Sequence, residues 1–126
     1  MESKTLYEMM GGAETIRRIV EAFYPRVQAD PELSPIFPAD ITPVMEKQYM
    51  FLTQFFGGPQ LYSEVHGHPM LRARHMRFPI TNRRALAWLR CMTEALDEVG
   101  LTGEVREQAF ERLRFTAAHM INTREE

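Results

Sequence analysis

Glycines and prolines cut this chain into segments, and the four longest segments carry apolar residues at helical spacing with no stretch that alternates as a strand would. After a short opening turn around Leu6 and Tyr7, Gly11-Gly12 break the chain, and Ile16, Ile19, Val20, Phe23 and Val27 then recur on one face of a helix from about Ala13 to Gln28. Pro25 lies inside that helix and predicts a kink. Pro31 to Asp40, with three prolines around Ile36 and Phe37, reads as a tight buried corner. Thr42 is a good N-cap and Pro43 a good first helical residue for a second helix, with Met45, Gln48, Leu52 and Phe55 on one stripe. Gly57-Gly58-Pro59 stop it, and Gln60 to Gly67 reads as a loop or weak turn. Pro69 then opens a short helix that Pro79 ends. Thr81 caps a helix from Asn82 to Val99, closed by Gly100, and Thr102 opens a last one carrying Val105, Ala109, Leu113 and Ala117. The expected fold is all-α, with four substantial helices, short connections and no internal repeat.

Length and charge narrow the function classes. At 126 residues the chain is expected to form a single domain over residues 1–126. A net charge of -2 with 25% charged residues argues against a nucleic-acid binder. No apolar run reaches membrane-spanning length, so no membrane partner is expected. The lone cysteine, Cys91, permits no internal disulfide, and Met1-Glu2-Ser3-Lys4 lacks a signal-peptide pattern, which points to the cytoplasm.

The short helix carries the first chemical signal. Leu71 and His75 are spaced i, i+4 and share a face, while Arg72, Arg74 and Arg77 crowd the histidine with positive charge. That charge favours the neutral imidazole, which is the form that ligates a metal. The guanidinium groups also suit a carboxylate-bearing ligand close by. A metal together with carboxylates suggests haem. Taken alone, the segment fits an ordinary histidine on a solvated basic helix better.

Three other helices each place one polar group where an apolar one is expected. Tyr24 falls on the buried side of the first helix, Gln48 between Met45 and Leu52, and Trp88 beside the small or soft residues Ala85, Met92 and Ala95. Leaving such a group unpaired inside a protein costs roughly 1–3 kcal/mol, so each needs a partner. A backbone carbonyl would explain any one of them. Their coincidence with the histidine suits a pocket for dioxygen held by iron, whose outer oxygen accepts hydrogen bonds.

Here the chain resembles the truncated haemoglobins of group II. The resemblance rests on Gly11-Gly12, Ala22-Phe23-Tyr24, Pro35-Ile36-Phe37, Phe51-Leu52, Gly57-Gly58-Pro59, Tyr62, the run Gly67-His68-Pro69-Met70-Leu71-Arg72-Ala73-Arg74-His75, and Trp88. It implies a two-over-two helical sandwich globin fold and haem b (iron protoporphyrin IX) as cofactor. By the same resemblance His75 is the proximal iron ligand, and Tyr24, Gln48 and Trp88 form the distal cluster. Phe37, Phe51, Leu52, Leu71, Met76 and Phe78 would contact the porphyrin, and Tyr62, Arg74 and Lys47 its propionates. Val44, one turn before Gln48, stands where such globins often carry a small or hydroxylated residue and would narrow entry to the pocket; it reads equally as a core valine. Phe37 stands where some relatives have tyrosine, which removes one donor.

The function this implies is reversible binding of dioxygen and other small haem ligands, for storage or scavenging. The alternative is an enzyme that uses the same site for nitric oxide dioxygenation, with an electron-donating reductase as partner, or for peroxide turnover. A haem-free helical interaction domain is the third reading. A zinc site from His66, His68 and His75 is disfavoured, since structural zinc wants thiolates or a fourth ligand. His119 reads as a surface or packing residue, Cys91 as structural, and Arg72 and Arg77 as electrostatic or surface groups.

Overall fold

The computed structural model describes residues 4–125, and every regular element among them is helical. In chain order these are α1 (Leu6–Met10), α2 (Gly12–Ala29), a 3₁₀ turn (Ser34–Ile36), α3 (Thr42–Phe55), α4 (Leu61–His66), α5 (Leu71–His75), α6 (Asn82–Glu98) and α7 (Gly103–Met120). The long helices form two pairs. α2 packs on α3, α6 packs on α7, and α2 lies against α6 to join the pairs.

The buried face of α2 carries Ile16, Ile19, Val20, Phe23, Tyr24 and Val27, the periodicity legible in its sequence. Met92, Ala95 and Leu96 of α6, Leu52 of α3, and Ala109 and Leu113 of α7 belong to the same buried core. Such burial, at about 25 cal/mol per Å² of apolar surface, is the main force holding the pairs together.

Several boundaries differ from the sequence reading. α2 continues through Pro25 as one helix to Ala29. Thr42 is the first residue of α3 rather than its cap, because Asp40 accepts from the Thr42 amide at 3.1 Å and starts the helix earlier. The expected loop after Gly58 contains α4, which Gln54 fastens by accepting from the Ser63 amide and donating to its hydroxyl, both at 2.9 Å. α5 starts at Leu71, not at Pro69; Met70 before it takes a left-handed φ of 46°. The cap on α6 is as expected, with Thr81 accepting from the Arg84 amide at 3.2 Å.

Asp30, 5% exposed, holds the corner between α2 and the 3₁₀ turn. It accepts from the amides of Glu32 (2.8 Å) and Leu33 (3.3 Å), and Arg90 of α6 pairs with its other oxygen. This corner carries Phe37 to the edge of the core, against Tyr24.

Candidate functional site

His75 closes the last turn of α5 and is half-buried. Its Nδ1 lies 2.7 Å from the carbonyl oxygen of Leu71. A carbonyl can only accept, so Nδ1 carries the proton and the lone pair of the neutral ring sits on Nε2. A backbone carbonyl on the outer nitrogen is the usual way a protein aims a histidine at a metal.

Tyr24, Gln48 and Trp88 come from α2, α3 and α6. Phe23 stands between two of them, with its ring centroid 4.9 Å from that of Tyr24 and 5.4 Å from that of Trp88, both edge to face. Phe37 approaches the Tyr24 ring edge-on at 6.2 Å. The rings hold one another at angles that edge-to-face packing favours.

Among the described residues, the side chains of Tyr24, Gln48 and Trp88 make no hydrogen bond, and no polar side-chain atom is both fully buried and without a partner. Their polar atoms therefore front open space, although Tyr24 as a whole is only 2% exposed. Burial pushes the Tyr24 phenol well above its ordinary range and keeps it a donor. Three donors from three helices remain unspent by the protein.

The remaining expected residues divide by position. Val44 and Phe51 on α3, Phe37 after the 3₁₀ turn and Trp88 on α6 are half-buried and pack against the core, with Leu52 fully inside it. Phe51 and Leu71 line one cleft of about 650 Å³ between α3, α5 and α7. Phe78 is half-buried, whereas Met76 is more than half exposed. Tyr62 is buried and meets Phe51 edge-on at 6.2 Å, and the Arg74 guanidinium lies 5.6 Å from the Tyr62 ring centre. Arg74 also donates to the carbonyl of His66 at 3.3 Å. Among the described residues neither Arg74 nor the exposed Lys47 enters an ion pair.

Haem needs a lone pair aimed at iron, apolar walls for the ring, and cations for two carboxylates. The Nε2 of His75, the half-buried Phe37, Phe51, Leu71 and Phe78, and Arg74, which enters no ion pair among the described residues, fit those requirements.

The model of the bacterial-like globin family matches residues 5–122. The chain belongs to that family. It is 58% identical over 119 residues to the group 2 truncated hemoglobin YjbI of Bacillus subtilis (strain 168), covering 94% of this chain and 89% of that protein. The crystal structure of the group II truncated hemoglobin from Bacillus anthracis superposes with a TM-score of 0.98 at 53% identity, covering 100% of this chain and 97% of that one. The X-ray structure of a truncated oxygen-avid haemoglobin from Bacillus subtilis gives 0.92 at 57% identity, covering 94% and 100%. The pairing of α2 with α3 and of α6 with α7 is thus the two-over-two arrangement of a truncated globin, and membership implies haem-based oxygen binding. No helix among the described residues is long and apolar enough to cross a membrane.

Three features lay outside the sequence reading. Phe23, expected only as core, separates two of the polar residues. Arg72, expected as an electrostatic or surface group, is exposed and also donates to the carbonyls of His119 (2.7 Å) and Ile121 (3.1 Å) at the end of α7. Asn122 reaches the carbonyl of His75 itself. Both partners of these last two lie more than forty residues away in sequence, where no local pattern could signal them. His119 and Cys91 are exposed and buried respectively, as expected, and no metal-binding cluster is found among the described residues.

Proposed function

We propose that this globin binds dioxygen reversibly at haem b held by His75, and serves in oxygen storage or scavenging. The observation that carries the reading is the hydrogen bond from Nδ1 of His75 to Leu71, which leaves Nε2 free to ligate. When bound, haem supplies an iron atom that takes up dioxygen and similar small ligands.

The chain's own groups do the rest. Tyr24, Gln48 and Trp88 donate to the ligand, and each such bond to a partly charged acceptor contributes about 1.5–3 kcal/mol. Phe37, Phe51, Leu52, Leu71, Met76 and Phe78 hold the porphyrin by apolar contact. Arg74, stacked near Tyr62, and Lys47 bind the propionates, and Val44 narrows the approach to Gln48. With one cysteine and no disulfide to maintain, the chain suits the cytoplasm.

Folding the protein with haem available tests the reading. A Soret band and a spectrum that cycles between deoxygenated and oxygenated forms are expected. Protein that folds without a Soret band would contradict it.

A further inference from the structure

α5 has five residues, too few to sustain a helix alone. The Met70 cap offers no side-chain hydrogen bond at its start, and α7 is the helix α5 packs against. What fixes the main chain that carries His75 lies at the other end of the sequence, just past α7.

The side-chain amide of Asn122 spans the loop that follows His75. Its Nδ2 donates to the carbonyls of His75 (3.3 Å) and Phe78 (3.0 Å). Its Oδ1 accepts from the Ile80 amide (2.9 Å) and from the Thr123 hydroxyl (2.6 Å). The amide orientation follows from these partners, because reversing it would set an oxygen against two carbonyls. The main chain adds to the tie, since the amides of Asn122 and Thr123 both donate to the Ile80 carbonyl, at 2.9 and 3.1 Å. Arg72, on α5 itself, donates back to His119 and Ile121. The segment 119–123 therefore holds α5 through Arg72 and the loop 75–80 through Asn122 and Thr123.

We propose that Asn122 is a positioning residue for His75, fixing the peptide that carries the imidazole and so the direction and firmness with which it holds iron. This rests on the reading of His75 as the iron ligand. Among the described residues Asn122 is the one side chain that hydrogen-bonds the main chain of His75, while Arg84 donates to the Pro79 carbonyl further along the same loop at 2.6 Å.

The test uses haem-loaded Asn122→Ala and Asn122→Asp, with Glu125→Gln as control because Glu125 bonds Arg83 and not the loop carrying His75. Asn122→Asp keeps the volume and the oxygen facing Ile80 but removes both donors, so it is read if the alanine variant does not fold. The iron–histidine stretching band of the ferrous protein is expected to shift or broaden in both Asn122 variants. Haem transfer to an acceptor globin is expected to quicken about threefold to tenfold, the size of one or two lost neutral hydrogen bonds. Glu125→Gln should match the parent in both. Asn122 variants of parental helicity with an unchanged band and unchanged haem loss would overturn the proposal, as would a fall in melting temperature alone. His75→Ala, run alongside, separates the two ideas: if it keeps the parental band, the ligand reading fails. If it loses the band while the Asn122 variants are silent, only the positioning role fails.

Discussion

Phe23 lies between Tyr24 and Trp88, touching the first ring at 4.9 Å and the second at 5.4 Å between centroids. A core residue that is 0% exposed thus packs against two of the expected donors, on different helices. Donors held by packing do not reorganise when a ligand arrives, which is what makes them effective.

Removing a donor should therefore act on ligand escape. Trp88→Phe and Tyr24→Phe are each expected to speed dioxygen dissociation at least about tenfold, since a bond to a charged acceptor is worth about 1.5–3 kcal/mol. Stopped-flow displacement of oxygen measures the rate directly. Unchanged rates in both variants would remove them from the distal cluster.

Tyr24 also predicts an alkaline effect. Burial raises its phenol above the ordinary value of 10.0, so the folded protein keeps a proton that the unfolded chain releases. Stability from this group is whole below about pH 10 and is lost as the pH rises above it. Melting temperatures measured from neutral pH into the alkaline range should fall more gently for Tyr24→Phe than for the parent. Parallel curves would show that the hydroxyl ionises freely in the fold.

The Asp30 corner predicts a stability cost of its own. Asp30→Ala strips the Glu32 amide of its acceptor, leaves the Leu33 amide only the Asp30 carbonyl at 3.2 Å, and deprives Arg90 of its partner. Arg90 is 59% exposed and can turn to water, so the expected loss is about 1–3 kcal/mol, less than for a fully buried pair. Urea unfolding with an unchanged m-value measures it. Phe37, carried by this corner, should move with it.

Much of this architecture was legible before the structure. Apolar periodicity marked the four long helices, and Thr81 announced the start of α6. Tyr24 and Trp88 showed as polar groups on inward faces, because burial follows helical phase. One short element escaped for the same reason. α4, with six residues, has too few turns to display a period and is fastened by Gln54 from another helix. Pro69 is a good first helical residue by composition, but the left-handed turn at Met70 delays α5 to Leu71. The roles of Arg72 and Asn122 depend on carbonyls, which any residue could supply. Their sequence therefore carries no trace of the pairing.

The central claim is that His75 holds the iron, and the ferrous spectrum of His75→Ala, with its haem affinity, tests it most directly. The parent should show a five-coordinate, histidine-ligated ferrous haem, and the variant should lose that spectrum and bind haem more weakly. A variant with unchanged affinity and an unchanged five-coordinate ferrous spectrum would contradict the assignment.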